Sequence, residues 1–314
     1  MNKEDTIVTK TVPAELSGRL DKAVSTLMLD TISRSHIKSL IEDERVLVNG
    51  RAVKASFKVK ADDEIKIIIP PVEETEIKAE NIPLDIIYED DDVILVNKPK
   101  GMVVHPAAGH TSGTLVNALM YHCGEDLSGI NGELRPGIVH RIDKDTTGVI
   151  IACKNDNAHR KIAEQLAVHS ITRRYHALVY NCIKEENGTI DAPIGRHPTD
   201  RKKMAINRQH GKNAVTHYEV IENFHVRNSN GYSHVICRLE TGRTHQIRVH
   251  MTSIGHPLLG DEVYGPQKNP FHLEGQALHA EVLGFVHPTT GKYMEFHAPL
   301  PDYFNELICK LKNL

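Results

Sequence analysis

The run HRIDKDTTG, His140 to Gly148, concentrates groups able to do chemistry between a Pro136-Gly137 turn and the apolar stretch VIIAC. It carries two carboxylates, Asp143 and Asp145. A carboxylate is ionised near neutrality and unhindered, so it suits the role of nucleophile or base. A pair of carboxylates is also what glycoside hydrolysis requires. In an extended chain residues i and i+2 share one face, but a loop imposes no such rule. Spacing alone therefore leaves open a carboxylate held at a strand rim, a hydrolase-like acid and base pair, and a turn in which Asp143 caps while Asp145 faces solvent. A second concentration is cationic: Arg196 to Lys212 holds six bases and one acid, with Arg201, Lys202 and Lys203 consecutive. Such a loop can contact phosphates, although a solvated surface loop has the same composition.

Metal and disulfide chemistry find little support. Twenty histidines include no H-E-x-x-H, and five cysteines include no C-x-x-C pair, so no metal site is expected and the thiols are expected to be reduced.

The elements that must position these groups follow from periodicity. VILVN (93–97), VIIAC (149–153), YHALVY (175–180), HYEVI (217–221) and HVICRLE (234–240) read as strands, and AHRKIAEQLA as a helix. Consecutive strands between 175 and 240 favour a largely antiparallel sheet. Near the N-terminus, Leu20, Val24 and Leu27 recur at helical spacing, and Ser33 precedes a second helix with Ile37, Leu40 and Ile41 on its apolar side. VLVNGRAV reads as a hairpin turning at Asn49-Gly50, and EIKIIIP as a further strand. The fold class is α+β: a small αα-β module over 14–72, an acidic linker over 73–86, and a mixed, largely antiparallel domain over 87–314.

The formal charge of -3 hides segregation, since residues 71–92 hold nine acids against one base and residues 93–314 hold 25 bases against 21 acids. Composition, at 40% hydrophobic and 25% charged, excludes disordered and fibrous classes. No apolar run is long enough to span a membrane and the N-terminus reads as no secretory signal, so a cytoplasmic protein without a membrane partner is expected.

The N-terminal residues Arg19, Leu20, Asp21, Ser33, Arg34, Ser35, Val46, Val48, Asn49 and Gly50 resemble the S4 RNA-binding domain pattern R-L-D…S-R-S…V-x-V-N-G. The likeness departs at Glu44, where that family has Gly, and at Asp62-Asp63, where it favours Gly-Asp. Arg34, Lys38, Arg51 and Lys54 would meet phosphates if they share a face.

HRIDKDTTG in turn resembles the H-R-L-D-x-x-T-S-G signature of the RluA/RluD family of pseudouridine synthases. NKPKGMVVHP (97–106), LETGRTHQIRVHM (239–251), GDEVYG (260–265) and LHA (278–280) extend the likeness in the expected order, and IGRHPTDRKKMA (194–205) points to the RluD-like branch. The departures are Ile142, Thr147 and Arg173, for Leu, Ser and Lys respectively.

What the resemblance implies is isomerisation of uridine to pseudouridine in RNA, breaking the N1–C1′ bond and making a C5–C1′ bond without cofactor or metal. On that basis Asp143 is the catalytic carboxylate, acting as nucleophile or as the base of an elimination. Arg243 pairs with it and Tyr175 stacks on the target base. Ile247 is expected in the wall of the base pocket. Because the uridine must leave the stack, Arg141 fills the space it vacates. The partner implied is large-subunit ribosomal RNA or the assembling subunit, with the enzyme a monomer; a non-catalytic RNA-binding or ribosome-assembly protein is the alternative.

Overall fold

The computed structural model describes residues 5–28, 32, 34–70, 77–106, 110–124, 126–130, 135–200 and 203–314, and divides into two compact units, 1–75 and 76–314. Ser33 of the expected second-helix start, and Arg201 and Lys202 of the basic loop, lie outside the described residues.

In the first unit the chain runs β1 (Thr6–Thr11), β2 (Gly18–Arg19), α1 (Leu20–Leu27), α2 (Arg34–Glu42), β3 (Val46–Val48), β4 (Arg51–Ala52), β5 (Lys58–Val59) and β6 (Glu64–Ile69). The helical spacing seen in the sequence is the buried face: Leu20, Val24, Ile37, Leu40 and Ile41 pack with Val46, Val48, Ile65 and Ile67. Asn49 and Gly50 both adopt positive φ, 48° and 77°, and join β3 to β4 as a two-residue turn. The sheet order β1-β6-β3-β4 places β1 on β6, so the unit begins before the expected boundary at 14. Glu44 (φ 58°) and Asp62 (φ 68°), the two departures from the S4 pattern, both adopt the left-handed backbone that glycine tolerates best.

The second unit continues β7 (Ile86–Glu89), β8 (Val93–Lys98), α3 (Leu115–Cys123), β9 (Thr147–Cys153), α4 (Asp156–Ala167), β10 (Thr172–Tyr180), β11 (Asn187–Asp191), β12 (Ile194–Arg196), β13 (Met204–Ile206), β14 (Val215–Phe224), β15 (Tyr232–Leu239), α5 (Gln246–Ser253), β16 (Leu278–Val286), β17 (Tyr293–His297) and α6 (Asp302–Lys312). Among the described residues its main sheet has nine strands, ordered β11-β14-β15-β10-β16-β9-β8-β7, with β17 also paired to β16. All these pairings are antiparallel except β16 with β9. At that parallel junction Gly148 pairs with Ala280, and a Cβ at 148 would collide with the Ala280 carbonyl. The glycine closing HRIDKDTTG is therefore needed for close backbone approach to the LHA segment.

The acidic linker is shorter than expected. Ile77 is 5% exposed and packs with Val93, Leu95 and Leu119 in the core of the second unit. Asn117 Nδ2 donates to the Lys78 carbonyl at 2.8 Å, and Glu80 accepts from Gly113 N–H. An apolar side chain and satisfied backbone groups thus anchor residues that charge counting assigns to a solvated tether.

Candidate active site

A cavity of about 300 Å³ opens beside the loop that precedes β9. Asp143, Arg141, Tyr175, Arg243 and Ile247, all singled out from the sequence, line it together with Arg173, His245 and Arg248. The loop is held from three directions. Thr146 N–H donates to the Asp143 carbonyl at 3.1 Å, closing a turn. Ile151 N–H donates to His140 Nε2 at 3.1 Å, and burial pushes the His140 imidazole down to about 4, so the ring is neutral and orders the loop as an acceptor. From below, Lys98 of the NKPKG segment is wholly buried, and its Nζ donates to the carbonyls of Pro99, Met102 and Lys144 at 2.8–2.9 Å. Burial pulls that ammonium down to about 7, opposed by the charges of Asp145 and Asp143.

The two acids of HRIDKDTTG part company. Asp143 lines the cavity, whereas Asp145 lies against Gly275, where an added Cβ would meet the Asp145 side chain, and does not line the cavity. A turn, unlike a strand, sends i and i+2 in different directions, which removes the acid and base pair reading.

The opposite wall comes from TGRTHQIRVH. Gln246 is 3% exposed and bonds on both sides: its Oε1 accepts from Thr241 Oγ1 and Arg243 N–H, and its Nε2 donates to Val215 O and Thr216 Oγ1. That clamp fixes the start of α5, where His245 takes φ 56° ahead of the first helical residue. Three residues on, Arg248 turns to the same face. Its Nη1 donates to Asp143 Oδ2 at 3.0 Å, and its Nε and Nη2 grip Asp261 at 2.7 and 2.8 Å. Asp261 in GDEVYG also accepts from the backbone N–H of Val263 and Tyr264. Burial opposes the charged form of Arg248, but the hydrogen bonds and charges of Asp261 and Asp143 outweigh it and raise the pKa.

The cation paired with Asp143 is thus Arg248, not Arg243. Arg243 lies on the turn before the helix, and its Nε donates to the Asn213 carbonyl at 2.9 Å, although the residue still borders the cavity. The available signal was the helical spacing of His245 and Arg248 within one block, which aims position 248 inward. His245 Nε2 lies 3.8 Å from Asp143 Oδ1, and its Nδ1 bonds the Tyr264 hydroxyl at 2.8 Å. Burial lowers the His245 pKa, partly offset by Asp143. The same tyrosine hydroxyl accepts from Met204 N–H at 2.8 Å, so it ties the β12–β13 hairpin of the basic segment to this wall. Lys203 at the base of that hairpin is half-buried.

Tyr175 is 8% exposed, and burial raises its phenol pKa, with Asp143 adding to the rise and Arg173 opposing it. It sits where β10 and β16 slip register, an irregularity that re-aims side chains. Ile247 is 3% exposed beside it in the cavity wall. In the first unit Lys38 is exposed and pairs with Glu42 at 3.4 Å, and Arg34 opens α2. Among the described residues no cluster of three or more His, Cys, Asp or Glu could hold a metal, and no helix is long and apolar enough to cross a membrane.

Comparison with known proteins identifies the family. The sequence profile of the RNA pseudouridylate synthases matches residues 92–253, and that of the S4 domain matches residues 18–65. The chain is 53% identical over 296 residues to an uncharacterized RNA pseudouridine synthase of Bacillus subtilis, covering 94% of this chain and 95% of the relative. It is 48% identical to the ribosomal large subunit pseudouridine synthase D of Zymomonas mobilis, covering 93% of each, and 44% identical to that of Escherichia coli, covering 94% and 90%. Human RNA pseudouridylate synthase domain containing 1 superposes with a TM-score of 0.57 at 25% identity, covering 75% of this chain and 97% of that structure. On these matches the chain belongs to the RNA pseudouridine synthases of the RluA/RluD type, carrying an S4 RNA-binding domain ahead of its pseudouridine synthase unit.

Proposed function

We propose that the chain isomerises uridine in large-subunit ribosomal RNA, with Asp143 as the catalytic carboxylate and the target nucleotide flipped out of the RNA. The observation that carries this reading is the Asp143–Arg248–Asp261 chain at the cavity wall. Arg248 is already held by Asp261, so it aims the Asp143 carboxylate without taking up both of its oxygens. The half-buried Asp143 faces a space that accepts a nucleobase.

Unstacking the uridine costs a few kcal/mol, recovered through contacts in the cavity. Tyr175 and Ile247 supply its apolar surfaces, and the phenol ring stacks on uracil. The raised phenol pKa keeps Tyr175 protonated at neutral pH, so stacking operates without a charge on the ring. Exposed Arg141, two residues from Asp143, fills the gap left in the RNA. The S4 unit and the basic segment Arg196–Lys212, including Arg201, Lys202 and Lys203, add phosphate contacts that position rather than specify. Arg34 and Lys38 serve the same end in the first unit.

Incubating unmodified large-subunit RNA with the protein and with Asp143→Asn, then mapping pseudouridine by carbodiimide adducts and primer extension, tests the reading. Stops seen only with the intact carboxylate support it. Pseudouridine formed equally by both proteins would remove Asp143 from the chemistry, and an absence of stops on both free RNA and subunits would remove the substrate.

A further inference from the structure

We propose that Arg173 is a substrate-contacting residue whose guanidinium holds a carbonyl oxygen of the target uracil and stabilises the negative charge the ring acquires as it leaves the sugar. The proposal rests on the uridine reading of the cavity. Arg173 lies two residues before Tyr175 on β10 and lines the same cavity. It is 7% exposed, yet only partly engaged: Nη2 donates to the Glu240 carbonyl at 2.8 Å, while the buried Nε has no hydrogen-bond partner. Among the described residues no carboxylate is paired with it, since Asp143 is held by Arg248 and the Glu240 side chain by His217. A buried cation with an idle donor is costly unless something completes it.

The turn beside it is built to admit the guanidinium. A Cβ on Gly242 would lie 2.6 Å from Arg173 Nη1, and Gly242 does not adopt the left-handed backbone that would otherwise call for glycine. The missing side chain therefore makes room for Arg173. Arg248 is not available for the same task, because its Nε, Nη1 and Nη2 are committed to Asp261 and Asp143.

Uracil carries two carbonyl acceptors, and one of them suffices to complete the idle Nε donor. When the N1–C1′ bond breaks, its electron pair goes to N1 and is shared with O2 and O4. C5 then bonds C1′ and loses its hydrogen as a proton, and N1 takes up a proton, so the product is an isomer and no oxidant or reductant is needed. A fixed donor in a water-poor cavity acts most strongly on charge that develops in the reaction. It also keeps the detached ring from escaping while it turns.

Single-turnover assays on an RNA bearing uridine or 5-fluorouridine at a mapped target position test this, following disappearance of the starting nucleoside in nuclease digests. Fluorine stabilises the anionic ring, so it relieves a defect in leaving-group stabilisation but not a general structural defect. Conversion of the uridine RNA by the wild-type chain checks the cavity reading itself, and its failure overturns that reading and this proposal together. Given conversion, Arg173→Met is expected to slow the uridine reaction about 100-fold, with the half-saturating RNA concentration within about threefold. On 5-fluorouridine the deficit should shrink to about tenfold or less. Arg173→Lys, which keeps the cation, should stay within about tenfold of wild type. Gly242→Ala displaces the guanidinium without removing it and should show the same fluorine-dependent relief. Equal deficits on the two nucleosides, or a loss confined to the half-saturating concentration, would overturn the assignment.

Discussion

The two carboxylates on Arg248 should respond in opposite ways to the same substitution. The Asp261 side chain is 0% exposed and takes two charge-assisted bonds from the guanidinium, while the Asp143 side chain is 18% exposed and takes one. Asp261→Asn puts an amide donor against arginine donors in a buried site, or turns it toward the Val263 and Tyr264 N–H groups. Either way a buried cation loses its main counter-charge, which costs about 3–5 kcal/mol. For a unit of this size that corresponds to a fall in Tm of about 10 °C. Asp143→Asn removes a partly hydrated partner and leaves the Asp261 grip intact, so it should cost less than about 1 kcal/mol while abolishing turnover. Its RNA affinity should stay within about tenfold of wild type, because phosphate contacts are spared. The assay is clean, since all nine tyrosines lie in the second unit and the chain has no tryptophan. Near-ultraviolet circular dichroism followed in the tyrosine band on heating therefore reports that unit, Phe57 of the first unit absorbing at shorter wavelength. Equal Tm losses for the two variants, or a stable but inactive Asp261→Asn, would refute the division of labour.

Three further outcomes are expected. Glu44→Gly and Asp62→Gly should each stabilise the first unit by about 1 kcal/mol, since both positions hold non-glycine residues at positive φ, and amide hydrogen exchange of the β3 and β6 strands would show slower opening. Arg243→Ala should leave the Tm of the second unit within about 2 °C while lowering the slope of log affinity against log salt by about one, the signature of a lost phosphate contact. Lys98 sets a pH dependence with a definite sign. Its folded-state pKa of about 7 lies below its usual 10.5, so above pH 7 the unfolded chain holds a proton that the native state sheds. Stability should then rise with pH from about 7, by at most about 1.4 kcal/mol per unit, and Lys98→Met should lose that rise while lowering stability throughout because three carbonyls lose their donor. A slope that persists in the variant would assign it to another group.

Local rules made much of this molecule legible before folding. The helical spacing of Leu20 and Val24, the Asn49-Gly50 turn and the apolar runs at 93–97 and 149–153 emerge as a packed helix, a two-residue turn and buried strands. Each is governed by periodicity or backbone preference within a few residues. Strand β16 escaped because LHAEVLGFV, buried on both faces, lacks the alternation that marks a half-exposed strand. The linker was overextended because charge counting does not see Ile77 entering a core whose other members lie more than fifteen residues on.

In the site, sequence alone determined which segments come forward as candidates, since HRIDKDTTG and TGRTHQIRVH hold Asp143, His245 and Arg248 whatever their orientation. Only the tertiary structure decided which arginine meets the carboxylate. Arg243 and Arg248 are alike in chemistry and five residues apart; the Gln246 clamp starts the helix between them, sends one side chain to Asn213, and carries the other to Asp143 and Asp261. That choice depends on where GDEVYG and the loop before β9 come together, and long-range packing, not local spacing, brings them there.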